Sequence, residues 1–203
     1  MSAEIELLKL AKERYTNLSP AEEKFFRAVA KGEPADFSGA SDEENDPSHA
    51  DKWPAERALN ADRLAWLCTN SAASKLVTHR GILVLGAQVN GILNLEWTDI
   101  TFPLNMRNCA FSGSILLNQA NLSSLDLFGT HIKDLRADGA KFEGTVFLRN
   151  VKTEGEVRFM RTTFAADLDF SGGQFINAKA TAINADGVRI EGVAFLRNVK
   201  TEG

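Results

Sequence analysis

The sequence holds only two cysteines, Cys68 and Cys109, far apart and in unlike surroundings. A disulfide framework needs more cysteines and a secreted context, so two buried thiols in a reducing cytoplasm are expected. No run approaches the roughly 18–20 apolar residues of a membrane span. The start, Met1-Ser2-Ala3-Glu4-Ile5-Glu6, is acidic, whereas a signal peptide begins basic and continues apolar. A cytoplasmic chain without a membrane span is expected. Histidine is also scarce. His49, His79 and His131 are scattered, and no Cys–His spacing suggests zinc. His131, between Thr130 and Ile132, suits an outward, solvated strand position.

The usual signatures of chemistry are missing too. Gly86 and Gly91 are not followed by Lys-Ser/Thr, so they form no phosphate loop. No Gly-x-Gly-x-x-Gly opens a helix, which leaves a dinucleotide site without support. Ser112-Gly113-Ser114 and Ser171-Gly172-Gly173 read as turns with no paired base nearby in sequence. No catalytic residue, cofactor or metal is expected, and the chain is not read as an enzyme. Charge of one sign is lacking as well. The net charge of −4, with 44% apolar and 25% charged residues, describes an ordinary globular chain and names no partner.

Residues 1–80 read as an α-helical cap region. Ser2 to Tyr15 carries an apolar side formed by Ile5, Leu7, Leu8, Leu10 and Ala11. Ser19-Pro20-Ala21-Glu22 opens a second helix with a capping box, and Gly32 followed by Pro34 closes it. Residues 36–51, rich in Ser, Asp, Glu and Gly, read as a mobile acidic loop and linker. Trp53-Pro54 is expected to open a third helix reaching Cys68, with one or two further helical turns over Ser71 to Val77. These helices are expected to cover the first coil of a repeat region that begins at residue 81.

From 81 to 203 the chain repeats. Phe-Leu-Arg-Asn-Val-Lys-Thr-Glu-Gly occurs at 147–155 and again at 195–203, an offset of two coils of about 22 residues plus about four inserted near Asn177-Ala178-Lys179-Ala180. Apolar or small residues recur as pairs two apart, such as Leu93/Leu95, Ile115/Leu117, Leu125/Leu127 and Ala140/Phe142, with successive pairs five or six residues on. That spacing puts both members of a pair on one side of an extended chain. Four pairs make one coil. One corner then reads Gly86, Asn108, Gly129, Asn150, Gly172, Asn198, and the next reads Gly91, Gly113, Asp134, Gly155, Asn177, Gly203. All are residues that tolerate a left-handed backbone, as a tight corner requires. Two looser corners read Trp97, Gln119, Gly139, Arg161, Gly187 and Pro103, Ser124, Gly144, Ala166, Gly192. A leucine-rich repeat has an overlapping period but one strand per repeat, which four inward pairs do not fit.

Gln119-Ala120-Asn121-Leu122 and Gly139-Ala140-Lys141-Phe142 resemble pentapeptide-repeat units, with a small residue two before a central Leu or Phe. The five-residue step holds from about 115 to 142 and alternates with six elsewhere. Asn184-Ala185-Asp186-Gly187-Val188-Arg189-Ile190 is similar to a branch of longer bacterial β-helix proteins, sometimes labelled membrane-associated oxidoreductases, whose helical N-terminal region is similar too. No residue here supports such chemistry. The resemblance covers about 120 residues and implies a right-handed, four-sided β-helix of about 5–6 coils behind an α-helical cap.

One outward column stands out beside the first corner: Leu85, Arg107, Phe128, Arg149, Ser171, Arg197. Rungs about 4.8 Å apart would line up Arg107, Phe128, Arg149 and Arg197 as an exposed strip. Arg and aromatic residues are enriched at interface centres. The leading functional expectation is a non-catalytic protein-binding module or scaffold. A DNA-mimicking modulator of DNA gyrase is the alternative implied by the resemblance, weakened because Arg and Lys interrupt the acids. No nucleic-acid partner is expected. Gly203 falls on a corner with no capping helix after it, so a further expectation is end-to-end self-association, or a chain that is the front part of a longer protein without independent activity.

Overall fold

A computed structural model describes residues 2–178 and 180–203. The chain begins with α1 (Ala3–Arg14), capped by the Ser2 hydroxyl, and α2 (Pro20–Lys31). In α2 the Ser19 hydroxyl accepts from Glu22 N, while the Glu22 carboxylate accepts from Ser19 N. Gly32 ends the helix with φ +69°. Leu7, Leu8, Phe25, Phe26 and Val29 are buried between the two helices and the first coil.

The next segment differs from the sequence expectation. Ala35–Asp36 is a strand, β1, and Ala58–Asn60 is a second, β2, each paired in parallel with a strand of the first full coil. The helix after it, α3 (Ala61–Thr69), therefore starts eight residues later than Trp53 and is capped by Asn60. Ser71 to Val77 yields one short 3-10 turn, Ser74–Leu76. The acidic segment is not a free loop. Residues Pro47–Lys52 form a 3-10 helix whose Ala50 is buried, and Lys152 Nζ donates to Ser48 Oγ at 2.9 Å. The anchors lie 104 residues away in sequence, which is why composition alone suggested mobility.

From Ile82 onward the chain is a parallel β-solenoid with four sheets. Sheet A stacks β1, Ile82–Leu85, Leu104–Arg107, Leu125–Asp126, Val146–Phe147, Leu168–Asp169 and Ala194–Phe195. Sheet B stacks β2, Gln88–Asn90, Ala110–Phe111, His131–Ile132, Lys152–Thr153, Gln174–Ile176 and Lys200–Glu202. Sheets C and D hold five strands each, beginning at Leu93 and Asp99. Registered positions on sheet A, Ile82, Leu104, Leu125, Val146, Leu168 and Ala194, give steps of 22, 21, 21, 22 and 26 residues. The longer step has its extra four residues between sheets B and C, where Lys152 to Val157 in one coil matches Gln174 to Ile183 in the next. This contains the expected insertion, of which Lys179 lies outside the described residues. No helix among the described residues is long and apolar enough to cross a membrane.

The backbone turns left-handed at two of the four corners. Gly86, Asn108, Gly129, Asn150, Gly172 and Asn198 all have positive φ. The second such corner is the column Trp97, Gln119, Gly139, Arg161, Gly187, also positive throughout, although three of its members carry large side chains. In the column Gly91 to Gly203, by contrast, only Gly91 has positive φ. Glycine there answers to space: a Cβ on Gly113 would lie 2.6 Å from Gly91 C. The αL state costs a residue such as Arg161 or Trp97 roughly 1–2 kcal/mol. Uninterrupted laddering offsets it, since Trp97 N donates to Asn118 O at 3.0 Å and Arg161 N to Asp186 O at 2.8 Å.

Inward side chains fill a continuous core. The early coils use Leu, Ile and Val, and the later ones a run of phenylalanines in which Phe142 and Phe164 stack at 5.1 Å while Phe159 meets Phe164 edge-on. Fully buried Thr130 donates to Met106 O at 2.7 Å and accepts from Cys109 N, so its hydroxyl is satisfied. On the last rung Leu196, which continues the core column of Leu127, Leu148 and Phe170, is 61% exposed.

Candidate functional site

The outer face of sheet A carries the Arg and aromatic strip. Each residue of the strip is held by the corner before it: Asn108 N donates to Phe128 O, Gly129 N to Arg149 O, Asn150 N to Ser171 O and Gly172 N to Arg197 O, at 2.8–3.0 Å. These bonds place Phe128, Arg149, Ser171 and Arg197 on successive rungs of one column, with Arg107 opposite Leu85 at its head.

A second column runs beside it, two residues earlier in each coil: Leu83, Asn105, Asp126, Phe147, Asp169, Phe195. The two columns interlock. Arg107 Nε donates to Asp126 Oδ2 at 2.8 Å, and its Nη2 lies 2.5 Å from the same oxygen. Asp126 is almost wholly buried, and its other oxygen accepts from Phe128 N at 2.9 Å. Asp169 repeats the device with Ser171 N and lies 3.6 Å from Arg149 Nε. Arg149 spreads over Phe147 at 4.9 Å and Phe128 at 5.7 Å, and Arg197 over Phe195 at 5.5 Å. Arg107 and Arg149 remain nearly half exposed. Between Phe128, Arg149, Asp169 and Arg197 lies a shallow depression of about 370 Å³.

Such a surface can do definite things. Each Arg is oriented by an aromatic face or an aspartate, which leaves its exposed N–H groups for acceptors outside the protein, although Arg149 Nε is itself buried. Arg107, Arg149 and Arg197 recur every second rung, about 9.6 Å apart. Sequence reasoning found one column and missed its neighbour. The missing signal was the same 22-residue period read two positions earlier, where Asp and Phe alternate from Asp126 to Phe195.

His131 lies outward on sheet B between Ala110 and Lys152, half-buried, with Nε2 3.4 Å from Glu154 Oε1. Cys68 and Cys109 are buried free thiols, and burial pushes both pKa values up to about 12. Neither is a nucleophile at neutral pH. Among the described residues, no three His, Cys, Asp or Glu side chains gather as a metal site. No protein-family model, curated protein or solved structure matches the chain.

Proposed function

We propose that the protein is a non-catalytic binding module whose working surface is the outer face of sheet A. The observation that carries this reading is the interlocked pair of columns, in which Arg107, Arg149 and Arg197 are fixed by Asp126, Phe147 and Phe195 on a rigid backbone ladder. Fixed Arg and aromatic side chains lose little entropy on binding, which suits them to the centre of an interface. A partner that offers carboxylates or carbonyls at intervals of about two rungs, with apolar groups between, is the chemistry this face accepts. We read the solenoid as a pentapeptide-repeat-like β-helix, on the strength of its four short sheets and five- to six-residue steps, and as acting in a reducing cytoplasm, consistent with two buried free thiols. Gyrase modulation by DNA mimicry has less support. A mimic needs open rows of acid, whereas Asp126, Asp138 and Asp169 face Arg107, Arg158 and Arg149.

The test is a comparison of wild type with the Arg107→Ala/Phe128→Ala/Arg149→Ala variant as baits. A partner must first bind the purified wild-type protein. A loss of at least about tenfold in its affinity for the variant, with the variant still folded by circular dichroism, supports the proposal. Undiminished binding moves the interface to another face.

A further inference from the structure

The corner from sheet A to sheet B takes two residues in the first full coil, Gly86-Ala87, but the whole of 37–57 in the partial coil between β1 and β2. A long segment where two residues suffice is a place where binding groups concentrate. This one folds around a cavity of about 560 Å³, bounded by Phe37, Glu43, Glu44, Lys52, Trp53 and Arg57. That volume suits a small molecule.

Arg57 is the unusual member. It is 6% exposed, yet among the described residues no carboxylate pairs with it. Its Nε donates to Gly86 O and its Nη1 to Glu44 O, both at 2.8 Å, and its guanidinium lies 3.6 Å over the Trp53 ring. Covering the Gly86 carbonyl explains Nε. It does not explain Nη2, which is buried without an acceptor, nor the indole Nε1 of Trp53, which is also buried without one. A buried cation outside any ion pair and two orphaned donors, both on residues that bound the cavity, are costly arrangements that an anionic acceptor relieves. Burial pushes the Arg57 pKa down, against the opposing pull of Glu44 and Asp36.

We propose that this cavity binds a small organic monocarboxylate with a flat apolar body. The carboxylate takes the Arg57 Nη2 and Trp53 Nε1 donors, and the body lies against Phe37 and Trp53. Glu43 and Glu44, which also bound the cavity, disfavour a doubly charged phosphate, and the apolar rings disfavour a bare inorganic ion.

The probe is benzoate, read by the indole N–H resonances of isotope-labelled protein, with Trp53 assigned through Trp53→Phe. Benzamide and inorganic phosphate are the comparisons, each raised to about 10 mM, near the weak limit of a specific site. A saturable shift of the Trp53 resonance with benzoate, none with benzamide, and an at least tenfold weaker response in Arg57→Met support the site. Absence of a saturable Trp53 shift in the wild type, an equal response to benzamide, tighter binding of phosphate, or undiminished benzoate binding in Arg57→Met overturns it. If Arg57→Met does not fold, as judged by the Trp66 and Trp97 resonances, the three-ligand comparison on the wild type decides alone.

Discussion

Gly129→Ala separates two causes that act at one corner of the solenoid. Gly129 has φ +65°, and a Cβ there would overlap Asn108 Oδ1 on the preceding rung. The left-handed backbone alone costs an alanine roughly 1–2 kcal/mol. Moving the Asn108 amide aside adds about 0.5–1.5 kcal/mol, the cost of an off-rotamer side chain. A total of about 1.5–3.5 kcal/mol is expected, read as a lower midpoint in urea with an unchanged slope, since the slope reports surface exposed and not local strain. In an Asn108→Gly background the overlap disappears and the backbone cost stays. Gly129→Ala should then cost about 1–2 kcal/mol, so the cycle shows a coupling near 1 kcal/mol. An equal cost in both backgrounds would show that the Gly–Asn alternation along this column has nothing to do with stacking. A cost below about 0.5 kcal/mol would refute the left-handed requirement itself. A changed slope would mean that the stack unfolds piecewise, as one-dimensional repeats can.

The neighbouring corner gives a contrast. Gly113→Ala should destabilise by about 3 kcal/mol or more, because its Cβ meets the Gly91 backbone, which cannot rotate away, whereas Gly155→Ala should cost about 1 kcal/mol or less, its nearest atom being 3.0 Å off; equal urea midpoints for the two would contradict this. Arg107→Ala strips the buried Asp126 of its guanidinium and should cost about 1–3 kcal/mol in thermal or urea unfolding, while Arg136→Ala, exposed and only 3.7 Å from Asp134, should cost less than about 1 kcal/mol. Stability should fall in alkali. The thiols of Cys68 and Cys109 stay protonated in the folded state up to about pH 12 but ionise in the unfolded chain from about pH 8.5, so their contribution is full below that pH and is lost as pH rises towards 12. Tyr15, also pushed up to about 12, adds to the same fall, so the cysteine share is the difference in pH slope between wild type and Cys68→Ala/Cys109→Ala. Native protein should also resist a thiol reagent until denaturant is added, and rapid modification of the folded form would show that the thiols are not buried.

The solenoid was legible because its rules are local and repeated. Pairs such as Leu125/Leu127 declare an inward side by spacing alone, and Gly86 to Asn198 declare a left-handed corner because only such residues adopt it cheaply. The helix starts at Ser2 and Ser19 were legible for the same reason, since a cap lies within three residues of its helix. The corner at Trp97, Gln119 and Arg161 was not, because a ladder between rungs overrides the intrinsic preference of those residues. Nor was the conversion of Ala35–Asp36 and Ala58–Asn60 into strands, each too short to carry a period of its own.

Sequence by itself therefore determined the coil length, the inward positions, one left-handed corner and the column containing Arg107, Phe128 and Arg149. Only the tertiary structure decided what those residues face. The pinning of Arg107 by Asp126, the spread of Arg149 over Phe147, the strapping of the acidic segment by Lys152 and the burial of Arg57 over Trp53 are contacts between separate elements. A period in sequence fixes height and side on a solenoid, but which side chains meet across rungs depends on rotamers and packing that no single repeat contains.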